Sequence, residues 1–196
     1  MTSRPIATTR SVMDVPTGRL AMWWVLASET VIFGGLLGTY VMMRLRHGAW
    51  ADDAAITNTW AGAFNTLVLL TSSLSAVLAH QAAERGDGLK AARLLRCTIL
   101  GGGVFLMVKA FEWTHEITEG FTITSGLFWS FYYTAAGLHA AHVVAGMLIM
   151  FIVSLTAARN EELHRVENVG IYWHFVDVVW IFLFPLLYIA DRKSVV

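Results

Sequence analysis

The sequence predicts an all-α integral membrane protein, a bundle of five transmembrane helices, from composition, charge distribution and segment length. Of 196 residues, 56% are hydrophobic and 14% are charged, whereas soluble domains are roughly 45–50% apolar and about 25% charged. The charged residues avoid five long apolar runs. These runs meet or approach the roughly 20 residues with which a helix crosses a bilayer core of about 30 Å. The composition therefore disfavours a soluble enzyme and excludes a disordered chain.

The five runs define the predicted helices in chain order. They cover residues 20–43, 54–83, 97–115, 120–158 and 168–190. The fourth run is too long for one perpendicular span, so we expect a surface loop followed by a tilted helix that begins near Ser125. The predicted helices are 20–43, 57–82, 97–116, 126–158 and 169–190. They form one transmembrane domain, 20–190, between a cytoplasmic tail of residues 1–19 and a C-terminal tail of residues 191–196.

The basic residues outside the runs predict the orientation of the bundle. Nine basic residues are expected on one side of the membrane: Arg4, Arg10, Arg19, Arg85, Lys90, Arg93, Arg96, Arg159 and Arg165. Four are expected on the other side: Arg44, Arg46, Arg192 and Lys193. Because cytoplasmic loops carry the excess of Lys and Arg, the N-terminus is expected inside and the C-terminus outside. The expected location is the cytoplasmic (inner) membrane, as a multi-pass protein.

Net charge and cysteine content exclude several functions. The formal net charge is zero, so no general attraction to nucleic acid is expected. The single cysteine, Cys97, excludes an internal disulfide framework and a metal site built from cysteines.

Glu29 is the most unusual residue of the first predicted helix. It lies nine residues into the run, roughly 14 Å along the helix axis and close to the membrane midplane. A charge there costs about 3 kcal/mol or more, which makes it a functional candidate. No basic residue lies within one helical turn, so its partner is expected from another helix, a lipid or a water. Glu29 either donates a hydrogen bond within the bundle as a protonated acid or handles protons.

The third helix carries Lys109, Glu112, His115 and Glu116 near its predicted outer end. Positions 109, 112 and 116 share one helix face, and we expect an ion pair between Lys109 and Glu112 near the interface. The spacing of Glu112 and His115 also matches the Glu-x-x-His pattern of di-iron bundle sites. Their outward position weakens that alternative.

The fourth and fifth helices each carry a pair of polar residues three positions apart. These are His139 with His142, and His174 with Asp177. An aspartate on the same face as a histidine can orient the ring or hold its proton. The simpler interpretation is that these side chains satisfy one another and backbone carbonyls. The more specific interpretation is that these histidines bind haem or a metal ion, with His139 facing His174.

Several of these segments resemble one family in the same order along the chain. Residues 172–180 read YWHFVDVVW, residues 137–146 read GLHAAHVVAG, and residues 111–116 and 120–126 read FEWTHE and GFTITSG. Together with Ser28-Glu29, they are similar to subunit III of the haem–copper oxidases, including cytochrome c oxidase. The similarity spans about residues 23–188. Larger family members have two additional N-terminal helices, and this chain resembles the short bacterial five-helix form.

The resemblance implies a non-catalytic accessory subunit of a respiratory haem–copper terminal oxidase of the cytochrome c oxidase type. Such a subunit stabilises the catalytic subunit I and supports proton uptake and sustained turnover in aerobic electron transport. Haem and copper are then expected in subunit I, with none in this chain, which binds phospholipid. By resemblance Glu29 matches the buried carboxylate of the family. The expected proton, lipid or hydrogen-bond positions, with no catalytic or metal-binding residue among them, are Glu29, Glu112, His115, His139, His142, His174 and Asp177.

Three other functions remain open at the level of sequence. The partner complex is alternatively a quinol oxidase or a nitric oxide reductase. The chain is alternatively a small membrane redox protein that holds haem between His139 and His174. A proton or ion carrier that uses Glu29 and Asp177 is disfavoured, because carriers are commonly built from repeated halves and no repeat is visible.

Overall fold

The computed structural model describes residues 11–12, 15–47 and 50–190. Two short strands, β1 (Ser11–Val12) and β2 (Val15–Pro16), pair antiparallel before the first helix. The helices are α1 (Thr17–His47), α2 (Ala51–Ile56), α3 (Thr59–Glu84), α4 (Gly88–Thr118), α5 (Leu127–Ala157) and α6 (His164–Phe184). Within the described ranges, α1, α3, α4, α5 and α6 with its π-helical extension are long and apolar enough to cross a membrane. The five-helix prediction is confirmed.

The helices extend beyond several of the predicted limits. The third transmembrane helix begins at Gly88, nine residues before the predicted start, because the Asp87 side chain accepts a hydrogen bond from the Lys90 amide and caps its first turn. Asn58 caps α3 in the same way through Ala61. The predicted surface loop is present, and α5 follows it from Leu127. The last three residues of the predicted cytoplasmic tail form the start of α1. Most of that tail and all of residues 191–196 lie outside the described residues.

The helices α3 to α6 form the packed core, and α1 lies to one side, mainly against α6 with a smaller contact to α5. Close packing of α3 and α4 depends on small residues. A Cβ atom added to Gly101 would lie 2.6 Å from the Cβ of Ser72, so a larger residue would push the helices apart. The core of these helices is rich in aromatic side chains such as Trp129, Trp173 and Trp180.

The last transmembrane helix ends in an irregular segment. From Pro185 to Ile189 the backbone is a π-helix, closed by a hydrogen bond from the Ala190 amide to the Pro185 carbonyl. Pro185 has no N–H group and its ring crowds the preceding turn, which disfavours a regular α-helix there. The segment buries Leu187 and Tyr188 completely or nearly so. It thereby brings the Tyr188 hydroxyl to a lysine of α4.

Candidate functional site

Lys109 is the centre of a buried polar cluster between α4, α5 and the π-helical segment. Its ammonium group donates hydrogen bonds to Glu112 Oε2 at 2.9 Å, to the Tyr132 hydroxyl at 2.9 Å and to the Tyr188 hydroxyl at 2.6 Å. It also lies 5.3 Å from the centre of the Trp113 ring. The expected ion pair between Lys109 and Glu112 is confirmed. Both side chains are buried inside the bundle.

Glu116 extends this cluster toward the loop between α4 and α5. The Tyr132 hydroxyl donates to Glu116 Oε1 at 3.0 Å. The Tyr133 hydroxyl lies 3.3 Å from Glu116 Oε2 and donates a shorter bond, of 2.7 Å, to the Phe121 carbonyl. Lys109, Glu112 and Glu116 share one buried face of α4, as their spacing predicted.

The structure separates Glu112 from His115. Glu112 points into the bundle, whereas the His115 side chain is 72% exposed and lies 3.4 Å from Glu119. These two residues therefore do not form the inner face of a di-iron site, although their spacing matches one. Among the described residues, no group of three or more His, Cys, Asp and Glu side chains is arranged to hold a metal ion.

Glu29 finds its partner on another helix. His142 Nε2 of α5 lies 2.9 Å from Glu29 Oε2 of α1, and the other ring nitrogen lies 2.8 Å from the Leu138 carbonyl. The expectation that its partner comes from another helix is confirmed. The ring of Phe33, one turn further along α1, makes a T-shaped contact with the His142 ring, with centres 5.2 Å apart. The Glu29–His142 pair is a polar contact between α1 and α5.

His139 is packed among aromatic rings. Its ring stacks on Trp180 with centres 5.2 Å apart and meets Phe105 edge to face at 5.4 Å. The residue is fully buried, and neither ring nitrogen has a hydrogen-bond partner. Trp180 is the α6 side chain that faces His139, and His174 lies six residues earlier, about 240° around the helix. The structure does not bring His139 and His174 together.

His174 and Asp177 lie where α6 packs on α3. His174 Nδ1 forms a hydrogen bond with the Ser73 hydroxyl. Both oxygens of Asp177 are buried without a hydrogen-bond partner. The idea that Asp177 orients the His174 ring is not supported, because the Ser73 hydroxyl is the group hydrogen-bonded to His174 Nδ1.

Three residues of these clusters were not identified from the sequence: Ser73, Tyr132 and Tyr188. Tyrosines inside apolar runs carry a signal, because a buried tyrosine hydroxyl usually has a hydrogen-bond partner. The proximity of Tyr188 to Lys109 depends on the π-helical segment, and no periodicity in the sequence predicts it.

Comparisons with known proteins agree on one family. The chain matches the family model described as cytochrome c oxidase subunit III over residues 15–191. It is 36% identical over 170 residues to "Cytochrome c oxidase subunit 3" of Corynebacterium diphtheriae, an alignment that covers 83% of each chain. Identity to the Bacillus subtilis protein of the same name is 34% over 175 residues, covering 87% of this chain and 84% of the relative.

A fused protein is also similar. "Heme-copper oxidase subunit I+III" of Aeropyrum pernix is 31% identical over 183 residues. The alignment covers 88% of this chain and 22% of that longer protein. In that relative, the two subunits named I and III are parts of one polypeptide.

Proposed function

Because the chain belongs to the cytochrome c oxidase subunit III family, we propose that it works as the non-catalytic accessory subunit of a respiratory haem–copper oxidase. The observation that carries this proposal is the family match over residues 15–191, which includes all five membrane helices. The chain is an integral membrane protein. Its role is to stabilise the catalytic subunit and to support proton uptake and sustained turnover.

The proposed partner is the catalytic subunit I. The Aeropyrum pernix relative supports this, since a fused protein keeps its subunits I and III close together. In this chain, α1 leaves most of its surface uncovered. An apolar helix exposed in this way contacts lipid or another membrane subunit.

The proposed location is the cytoplasmic membrane, with the N-terminus inside and the C-terminus outside. Nine basic residues on one side against four on the other support this orientation. The loops that join α3 to α4 and α5 to α6 then face the cytoplasm. The connections at 48–58 and 119–126 face the outer side.

Haem and copper are proposed to reside in subunit I, and this chain is proposed to bind phospholipid. The packing of His139 against Trp180 and Phe105 supports the placement of haem in subunit I, because side chains of this chain enclose the His139 ring. His174 is engaged by Ser73 on a different side of α6. Neither arrangement resembles a pair of axial ligands facing one another.

Purification of the complex through a tag on this chain tests the proposal. We expect a haem–copper subunit to co-purify in mild detergent and this chain to be colourless after separation from it. Turnover with reduced cytochrome c, a quinol or nitric oxide identifies the type of complex. An intact complex without a haem–copper subunit, or a Soret band that stays with this chain and disappears in His139→Ala, would contradict the proposal.

A further inference from the structure

The first helix, α1, is joined to the rest of the bundle by a narrow stripe of side chains. In the described part of the chain, α1 is the least buried of the five membrane helices. Its buried side chains are Leu26, Phe33 and Tyr40, which are seven residues apart and lie on one face. Apolar contacts between helices gain little over contacts with lipid in a bilayer. The position of α1 therefore depends strongly on its polar contacts.

The C-terminal end of α1 is attached to the end of the last helix through backbone carbonyl groups. The Tyr40 hydroxyl donates a hydrogen bond to the Leu186 carbonyl at 3.0 Å, and Arg44 Nη2 donates to the Ala190 carbonyl at 2.6 Å. Carbonyl groups in the last turn of a helix have no acceptor role within that helix. A cationic side chain there also faces the negative end of the helix dipole. Both carbonyls belong to the π-helical segment or directly follow it.

The same π-helical segment is fixed to the packed core from its other side. The Tyr188 hydroxyl accepts a hydrogen bond from Lys109 Nζ at 2.6 Å and lies 3.0 Å from the Tyr132 hydroxyl. The Thr59 hydroxyl of α3 lies 3.4 Å from the Tyr188 carbonyl. Leu187, beside it, is 1% exposed. The segment therefore connects α1 to α3, α4 and α5.

The π-helical backbone determines which of its groups face the core and which face α1. Its hydrogen bond joins the Ala190 amide to the Pro185 carbonyl, five residues apart, so the turn holds one residue more than an α-helical turn. In a regular α-helix the residues that follow would be rotated by about 100° around the axis. The Tyr188 hydroxyl would then turn away from Lys109, and the carbonyl groups that α1 uses would turn with it.

We propose that the π-helical segment is a strap that holds the C-terminal end of α1, and that the hydrogen bond from Lys109 to Tyr188 keeps this strap closed. A change in the buried cluster around Lys109 then releases the C-terminal end of α1. The N-terminal end stays in place, because Arg19 is paired with Glu167 of α6. A buried site in the core is thereby coupled to the most exposed membrane helix. The inference concerns the chain itself and holds whichever complex the chain belongs to.

Hydrogen–deuterium exchange of the full chain in phospholipid nanodiscs tests this strap, because exchange rates report local opening along a helix. Peptides that cover residues 37–47 report the C-terminal end of α1, and peptides that cover residues 17–26 report its N-terminal end. We expect Tyr188→Phe to speed exchange at residues 37–47 by about threefold or more, the effect of one interhelical hydrogen bond in a membrane. Exchange at residues 17–26 should not change. Tyr40→Phe should give the same pattern, because it removes the contact with Leu186.

Two matched variants separate the strap from a general loosening of the bundle. Tyr172→Phe removes another tyrosine hydroxyl of α6, which donates to the His142 carbonyl at 3.4 Å. This variant should leave exchange at residues 37–47 unchanged. Arg19→Gln should give the reverse of the strap pattern, with faster exchange at residues 17–26 alone, because it breaks the ion pair with Glu167.

Pro185→Ala provides the test if Tyr188→Phe does not fold. It restores a backbone N–H group and permits a regular α-helical turn, so it should also speed exchange at residues 37–47. Unchanged exchange there in Tyr188→Phe, or in Pro185→Ala where that variant takes its place, would overturn the proposal. Equal acceleration at both ends of α1 would also overturn it, because the opening would then involve the whole helix.

Discussion

His142 of α5 and Glu29 of α1 form a hydrogen-bonded pair between the two helices. The Leu138 carbonyl can only accept a hydrogen bond, so His142 Nδ1 donates to it at 2.8 Å. Nε2 then either accepts from a protonated Glu29 or donates to its carboxylate across 2.9 Å. Both forms contain the same number of protons and have no net charge. A hydrogen bond of either form joins α1 to α5 without an unpaired charge.

Replacement of Glu29 by glutamine should preserve this contact. A glutamine amide can donate to His142 Nε2, so Glu29→Gln should assemble with the oxidase and lower the free energy of unfolding by less than about 1 kcal/mol. Glu29→Leu removes the hydrogen-bond partner of His142 and should lower the free energy of unfolding by a larger amount. Thermal unfolding of the purified protein and the yield of co-purified subunits measure both effects. Glu84→Gln, at the exposed end of α3, is the control. Loss of assembly in Glu29→Gln would show that the pair must be ionic.

Removal of Lys109 should be among the most damaging single changes in the bundle. Lys109→Met leaves Glu112 and Glu116 buried without their cation, and breaking a buried pair in this way costs about 3–5 kcal/mol. Unfolding in increasing denaturant measures the loss, with the exposed Lys90→Met as the control. The triple variant Lys109→Met, Glu112→Gln, Glu116→Gln should recover part of it. A triple variant no more stable than Lys109→Met would show that packing of the lysine stem, and not charge, determines stability.

The number of helices was predictable, because apolar length and charge distribution are local properties of the sequence. The residues at which the helices begin and end were less predictable. Charges mark where a helix leaves the membrane and not where it ends, so the charged turns from Gly88 to Arg96 were missed as part of α4. Because no basic residue lies within one helical turn of Glu29, its partner was expected from another helix, a lipid or a water. That the partner is His142 depends on how α1 packs, which no local pattern encodes. The contact of Tyr188 with Lys109 depends on the π-helical turn after Pro185.

Neutralising Asp177 should not destabilise the chain when it is separated from its partners. Both carboxyl oxygens are buried without a hydrogen-bond partner, so removing the charge removes a desolvation cost. Asp177→Asn is expected to match or exceed the wild type in thermal stability, by up to about 1 kcal/mol. Asp177→Ala should give a similar or lower value. A clear loss of stability in Asp177→Asn would mean that Ser73 or another group depends on the carboxylate.

Two glycines of the membrane helices should respond oppositely to the same substitution. A Cβ atom at Gly101 would lie 2.6 Å from the Ser72 Cβ, whereas one at Gly34 would meet nothing within 4 Å. Gly101→Ala must separate α3 from α4 and should cost about 1–3 kcal/mol through overpacking. Gly34→Ala should be neutral or stabilising by up to about 1 kcal/mol, because alanine loses less backbone entropy in a helix.

Thermal unfolding in mild detergent measures both glycine variants, and assembly adds a second readout for Gly34. If a partner subunit packs closely on α1, Gly34→Ala should reduce co-purification while it leaves the stability of the separated chain unchanged. Gly101→Ala should lower stability and assembly together, because it acts inside the bundle. A stable Gly101→Ala would show that α3 and α4 are less tightly packed than the 2.6 Å approach implies.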